Sequence, residues 1–505
     1  MAGINAERDI WKHLMEVMDR LEKVEAQARK EREEHQAEVS RIQAQHKEEK
    51  HRAAERIKEL EGKVAELEEM NQKLQEEVAR LKHKDDKDSH NSSLPPSTDQ
   101  KPVKAPNEYN GRKKTGRTSG GQKGHPGKTL RIKDCMEKLK AAGVEPEVEE
   151  IGDVRNPYKE RLMIDILLKP SAILKRFHAQ EDGKCQIPEE YNSEVIYGTN
   201  IKALTALLYG QGVQSAERIV ELIKAISGDC IEISQGTIFN WLEALYRKAE
   251  AEEAKIERHL LDLPQVCTDA TTASMDGRQI YIRNFSDKKW VFYVPMERKD
   301  IKTLTKIPFM KKFAGILTHD HETALYHFGT EHAECNVHLI RYLTANTENT
   351  GHRWSRKLIA LLCEANRYRK RIIAEGKSTI PPGTLSRLEA RYDELLDFAK
   401  RERKEHPAHF RWATTEETSL LNRLKKYKWN HLLFLHNFDV PFDNNMSERD
   451  LRKCKNRQKM AGGFRSSHGL EIFCALLSVT ETCKRQAINL MNAFRALINH
   501  IPIFT

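Results

Sequence analysis

The chain has 505 residues, 39% of them hydrophobic and 32% charged, with a formal net charge of +10. That length asks for several domains rather than one core, and no apolar run approaches the ~20 residues that cross a bilayer. Nine cysteines are scattered without a C-x-x-C pair, which argues against a disulfide framework and a four-cysteine zinc site. The first residues lack a signal peptide's apolar segment, so a cytoplasmic protein is expected. Charge is segregated: between Lys101 and Lys133 the only acid is Glu108, and a second basic cluster follows Glu448. Cations grouped this way suit phosphate-facing surfaces.

From Ile10 to Leu81 there is no proline and Gly62 is the only glycine. Ile57, Val64, Asn71 and Val78 alternate with Leu60, Leu67, Leu74 and Leu81 in heptad register. β-Branched residues at one seam position and leucine at the other favour a parallel two-stranded coil, and a buried asparagine fixes its register. An earlier stretch (Ile10, Leu14, Val17, Leu21, Val24) has a different phase, and the polar middle breaks the seam. The competing reading is one amphipathic helix packed on its own chain. Residues 1–83 are therefore expected as a coiled-coil oligomerisation helix and 84–130 as a basic linker rich in Pro, Gly and Ser. That linker either lies along a DNA groove, with Arg117 and Lys123 as contacts, or is simply solvated.

Residues 131–190 read as a small mixed unit whose best strand is Arg161 to Lys169. Helices return at Ile201–Tyr209 and Ala216–Ser227, and a third runs through Asn240–Tyr246 with Ser234 as its cap. Two short helices around a glycine-containing turn fit a helix-turn-helix over 191–260, although ordinary bundles show the same pattern. Then the texture changes. Gln265–Asp269, Gln279–Phe285 and Trp290–Val294 read as strands with turns at Asp276-Gly277 and Ser286-Asp287. A helix, a fourth strand over Ala314–Asp320 and another helix follow. The chain is helical again from about His352 to Lys428, interrupted at Ile380-Pro-Pro-Gly383.

Asp269 ends the first strand, Asp320 ends the fourth, and Glu448 begins a late helix inside Pro441-Phe-Asp-Asn-Asn-Met-Ser-Glu-Arg. A β-β-β-α-β-α order with acids at these points is the ribonuclease H-like arrangement. Three such carboxylates can hold two hard divalent cations for phosphoryl transfer. Glu322 is a possible substitute ligand or the start of a helix. Asp443 either assists Glu448 or caps the next helix. His319 and His321 flank Asp320 and are candidates to approach a phosphate. Cys335-x-x-His338 has ligand-like spacing but no matching second pair, so it reads as packing beside the site.

These residues resemble the IS66 family of transposases, the catalytic subunits of bacterial insertion sequences. The resemblance rests on the heptads, Asn91-Ser-Ser-Leu-Pro-Pro-Ser, Gly120-Gly-Gln-Lys-Gly-His125, Tyr197-Gly and Ser234-Gln-Gly-Thr237. It continues through Asp269-Ala-Thr, Asp320 with Tyr326, Cys335-Asn-Val-His338 with Arg341, and the Pro441 motif. It implies DDE chemistry at Asp269, Asp320 and Glu448 with Mg²⁺ or Mn²⁺: hydrolytic cleavage at the element's ends, then attack of the freed 3′ hydroxyl on target DNA. It also implies a ribonuclease H-like domain over 261–341 and 436–505, interrupted by an α-helical insertion over 342–435, in an α+β multidomain chain. DNA, a second copy of the chain and small accessory proteins of the same element are the implied partners, at the nucleoid.

Arg449, Arg452, Lys455 and Arg465 are candidate phosphate contacts or solvated helix cations. This chain departs from the family in three respects. Ala270 stands where an acid usually follows the first Asp; Cys135 and Cys185 are isolated, so no structural zinc is expected; and the resemblance leads one to expect a longer aromatic tail than Ile501-Pro-Ile-Phe-Thr505. A non-catalytic DNA-binding scaffold and a nuclease without strand transfer are the alternative functions.

Overall fold

The computed structural model describes residues 3–85, 87, 131–141, 143–151, 159–164, 170–178, 185–191 and 193–504. Nearly all of the expected linker, with Arg117 and Lys123, lies outside the described residues. The chain divides into two compact units, one of residues 1–87 with 410–412 and one holding the remainder.

The first unit is built on α1 (Gly3–Asp85), a single helix of 83 residues. Without proline, nothing forces a break, and the helix runs straight through the polar middle. Exposed pairs at i,i+4 spacing, such as Lys63–Glu59 and Arg52–Glu48 at 2.5 Å, line its surface and add a few tenths of a kcal/mol each, ~0.3 per pair. The heptad residues present themselves to solvent: Leu60 is 46% exposed, Val64 53% and Leu67 63%.

In the second unit α2 (Ile132–Ala141) is followed by irregular chain. The expected strand at 161–169 is not found where the chain is described: residues 161–164 have no strand pairing, and Met163 is 91% exposed. An apolar run makes a strand only when a sheet edge receives it, and among the described residues none is adjacent. The rest of that strand lies outside them.

The helices α3 (Thr199–Gly210), α4 (Ala216–Ile226) and α5 (Gln235–Leu261) match the expected trio. Ser234 caps α5 by accepting the Thr237 N–H at 3.0 Å.

The sheet begins with β1 (Gln265–Met275), β2 (Arg278–Ser286) and β3 (Val291–Met296), an antiparallel meander. Asp276 and Gly277 both have positive φ, +48° and +71°, which is the type I′ turn that matches strand twist. After α6 (Ile301–Leu304) and α7 (Pro308–Lys312) comes β4 (Ile316–His319), parallel to β1.

A fifth strand, β5 (Glu331–Glu334), pairs parallel to β4 and gives the order β3-β2-β1-β4-β5. Its sequence, Glu-His-Ala-Glu, has no strand signature. Pairing with β4 forms it, and three of its four side chains are buried.

Next come α8 (Asn336–Thr350), α9 (Arg353–Ala374), α10 (Pro382–Glu405), α11 (Arg411–Lys426) and α12 (Lys428–His436). These helices carry their own core around Trp354, Leu358, Tyr392 and Leu424. The chain then returns through α13 (Asn445–Asp450), α14 (Arg452–Ala461), α15 (Ser467–Arg485) and α16 (Leu490–Ile498). α15 covers the sheet: Ser478 and Thr482 accept the N–H groups of Tyr293 and Val291 at 3.0 and 3.2 Å, so edge strand β3 offers fewer unpaired donors. The result is a mixed α+β unit with a five-stranded sheet.

Candidate carboxylate site

The parallel register of β1 and β4 pairs Cys267 with Thr318. Continued by two residues, it sets Asp269 beside Asp320, which directly follows β4; Asp269 does not end its strand as expected, because the hairpin with β2 carries β1 on to Met275. Asp269 is half-buried, and burial together with the Asp320 charge pushes its carboxyl up to about 7. A carboxyl raised by burial and by a neighbouring carboxylate marks a place where a cation is electrostatically favoured.

Asn284 on β2 secures the third acid. Fully buried, its Oδ1 accepts the Asp269 N–H at 3.1 Å and the Ser447 hydroxyl at 2.6 Å, while its Nδ2 donates to Ser447 O at 3.2 Å. One amide thus locks the Asp269 backbone to the residue before Glu448. From the other side Asn444 donates to Thr268 O at 2.9 Å, its own N–H meets Cys335 Sγ at 3.2 Å, and the Asn336 N–H reaches Phe442 O at 3.1 Å. The Pro441 loop is thereby fixed between β1 and the start of α8.

His338, one turn into α8, completes the group. Its Nδ1 lies 3.7 Å from Glu448 Oε1. Both atoms are buried without a hydrogen-bond partner. Burial lowers the His338 pKa, against the pull of Asp320 and Glu448. Among the described residues, Cys335, His338 and Glu448 are the group of three potential metal ligands whose donor atoms all lie within 4.8 Å of one another. The Cys335 thiol is pushed up to about 12 by burial.

The neighbouring acids have other partners. Glu322, which directly precedes a 3₁₀ turn at Thr323–His327, is bound by the fully buried Arg283 at 2.5 Å and approached by Lys299 at 3.8 Å. Its Oε1 is spent there, while Oε2 is buried without a hydrogen-bond partner. Asp443 accepts the Asn445 N–H at 3.1 Å and orders the loop. Asp450 pairs with Arg485. Ala270, where the family usually has an acid, is 9% exposed and accepts Lys299 Nζ on its carbonyl at 3.0 Å.

The histidines beside Asp320 do not reach outward. His319 is fully buried against His332 at 3.3 Å, and burial lowers its pKa to about 3. His321 donates to Glu334 at 2.7 Å. Glu334 on β5 also binds Arg423 at 2.5 Å and His431 at 3.2 Å, and accepts the Tyr326 hydroxyl. Burial alone would raise its pKa, yet His321, His431 and Arg423 hold it far below the carboxylate range. This charge cluster pins α11 and α12 to the sheet.

The basic run after Glu448 is split by its packing. Arg449, Arg452 and Arg465 are exposed. Lys455 is half-buried and donates to Thr272 Oγ1 at 2.7 Å; burial lowers its pKa, and it feels both Asp269 and Lys299. It therefore lies along β1 near the first acid. Lys453 and Arg457 turn inward instead. Lys453 donates to Gln211 O at 2.7 Å, and Arg457 donates to Gln214 O and stacks 4.6 Å from the Tyr209 ring centroid. The run as a whole is thus not one continuous cationic track. Gly463, at φ +116°, lets the following loop approach β1: a Cβ there would meet Ser274 O at 2.8 Å.

Sequence reasoning singled out Asp269, Asp320 and Glu448 but not the buried polar residues around them: Asn284, which holds the Asp269 backbone and Ser447, Arg283 and Lys299, which bind Glu322, and Glu334, which gathers His321, Arg423 and His431. A buried asparagine or arginine in a strand of otherwise apolar inward positions is the available signal, because such a group must be satisfied by something specific.

Residues 194–472 match the family model described as Transposase IS66 family, and residues 22–131 match one described as a family of unknown function. No curated protein matches the chain. The first match spans more than half of the sequence and contains all three acids: the chain belongs to the IS66 transposase family.

Proposed function

We propose that this transposase acts by DDE chemistry, with Asp269, Asp320 and Glu448 as the cation-binding triad of a ribonuclease H-like domain. The observation that carries the reading is the convergence of two aspartates on neighbouring strands, Asp269 raised by burial and by the Asp320 charge, with Glu448 fixed to β1 and β2 through Asn284. The strand order, with β1 central between an antiparallel pair and a parallel pair, favours the same fold. The residues suit hard cations: the Glu448 Oε1 is buried and unpartnered, and the Asp269 carboxyl stays raised despite the nearby Lys299 and Arg283. Mg²⁺ or Mn²⁺ held there would supply Lewis acidity to the attacking and leaving oxygens of a phosphodiester.

The chain's own groups then have distinct tasks. Lys455 and Lys299, beside Asp269, offset phosphate charge next to the triad. Arg449, Arg452 and Arg465 contact the DNA backbone further out. α3 to α5 form the helix-turn-helix-like part, and the α8–α12 region, expected from about 342, is the insertion. The exposed heptads of α1 pair two copies of the chain as a coiled coil.

The test is a cleavage and joining assay on the inverted repeats that flank the gene. Wild-type protein should cut one end and join its 3′ hydroxyl to target DNA in Mg²⁺ or Mn²⁺. Glu448→Gln should abolish both steps while DNA binding persists. Full cleavage by Glu448→Gln removes Glu448 from the mechanism, cleavage without joined product marks a nuclease, and binding with neither marks a scaffold.

A further inference from the structure

The unpartnered pair His338 Nδ1 and Glu448 Oε1 is the feature that the three-carboxylate reading leaves unexplained. His338 is 5% exposed; a buried imidazole nitrogen normally has a partner, and here the Glu448 oxygen beside it is itself unsatisfied at 3.7 Å. That separation is too long for a hydrogen bond. It is close to the spacing of two atoms bound to one cation: ligands each ~2.1 Å from a metal, at octahedral or tetrahedral angles, lie ~3.0–3.5 Å apart. A small rotation of either side chain closes the difference. Asp320 also acts electrostatically on His338, so a cation between Glu448 and Asp320 would have the imidazole on its flank. The backbone holds the geometry rigid, because Cys335 begins α8 with its N–H on His319 O at 2.8 Å and the Asn336 N–H on Phe442 O.

We infer that His338 is a direct ligand, through Nδ1, of the divalent cation held by Glu448, making that position a mixed nitrogen–oxygen site that prefers Mn²⁺ over Mg²⁺. The inference rests on the DDE reading and adds a fourth residue to it. The preference follows from ligand chemistry, since Mg²⁺ demands oxygen ligands while Mn²⁺ accepts imidazole as well. Cys335 is not part of the set. Its sulfur accepts the Asn444 N–H at 3.2 Å, and its buried thiol resists ionisation.

Pulsed EPR on the untagged full chain loaded with Mn²⁺ tests this without any substitution. The expected spectrum shows ¹⁴N coupling from a coordinated imidazole. With 21 histidines in the chain, assignment comes from His338→Gln, which should lose the coupling and weaken Mn²⁺ binding about tenfold or more, with a smaller effect on Mg²⁺. Circular dichroism confirms that the variant is folded. Mn²⁺ binding that is lost in Glu448→Gln but shows no nitrogen coupling in the wild type overturns the inference and leaves the triad standing. Binding that Glu448→Gln and Asp269→Asn leave unchanged overturns both. A Co²⁺-loaded protein with a thiolate charge-transfer band would place Cys335 in the set and overturn the hard mixed site.

Discussion

Asn284→Ala should damage both stability and catalysis, although residue 284 touches no substrate. The side chain is fully buried and makes four hydrogen bonds, at 3.1 Å from Asp269 N, 2.6 Å from Ser447 Oγ, 3.2 Å to Ser447 O and 3.3 Å to Asp450 Oδ2. Two of its partners have somewhere else to turn. Ser447 O also accepts the Leu451 N–H at 3.3 Å, and Asp450 keeps Arg485. The Asp269 N–H and the Ser447 hydroxyl are orphaned, at about 1–2 kcal/mol each. The total loss should be about 3 kcal/mol, read as a lower urea midpoint for the sheet-containing unit. Freed from Asn284, the start of α13 can shift, and a displacement of about 1 Å at Glu448 would slow cleavage about a hundredfold. Ser447→Ala removes the other end of the shortest bond, so the double variant should lose about 1 kcal/mol less than the sum of the singles. An Asn284→Ala protein that loses under about 1 kcal/mol and cleaves at the wild-type rate would refute the idea that this amide aligns the acids.

Asp269→Asn should stabilise the protein in the absence of divalent cations. The Asp269 pKa rises from the usual 3.8 to about 7 on folding, so the folded state holds the extra proton and its stability falls as pH rises across that window. The gain, discounted for partial exposure, should be about 2 kcal/mol at pH 8 and vanish below pH 4; thermal melts at both pH values check it, and equal shifts would refute it. Glu334→Gln, by contrast, should destabilise, since it leaves Arg423 and His431 without their buried anion, at a cost of about 3 kcal/mol. Because Glu334 titrates far below its usual value of 4.5, its contribution is intact at neutral pH, begins to fall only below that unfolded value and is lost as pH drops through the much lower folded value; urea titrations at pH 7 and pH 4 should show the gap between variant and wild type narrowed by less than ~1 kcal/mol at the lower pH, and convergence at pH 4 would refute it. Arg452→Ala should reduce the salt slope of DNA binding by about one unit, whereas Arg457→Ala should cost about 2 kcal/mol of stability through its lost ring stacking and leave the slope unchanged; a slope change in the second variant would put Arg457 back on the DNA surface.

How much of this was legible in the sequence depends on what each element needed to form. The meander of β1 to β3 could be read because its alternation and its Asp276-Gly277 turn are local, and local signals survive without a partner. β5 could not, because Glu331-His332-Ala333-Glu334 becomes a strand only when β4 supplies its hydrogen bonds and α11 and α12 supply Arg423 and His431 to neutralise it. The described part of the strand expected at 161–169 failed for the converse reason: its apolar residues were visible, but at 161–164 the chain has no adjacent sheet edge among the described residues.

The candidate site shows the same division between local and long-range information. Asp320 was placed by a strand end and Glu448 by a specific motif, and Asp269 by a strand that in fact continues to Met275, whereas Asn284 and His338 matter through partners more than 100 residues away, Ser447 and Glu448. The basic run lay between these cases. Lys453 and Arg457 are four apart, so they share one face of α14, and helical spacing alone predicts that they act together. Which face turns to the protein was set by Gln211 and Gln214 in the α3–α4 connection. A charge run read without its helical phase therefore overstates the surface left for DNA, and here the correction leaves Arg449, Arg452 and Arg465 exposed, with Lys455 directed along β1 toward the acids.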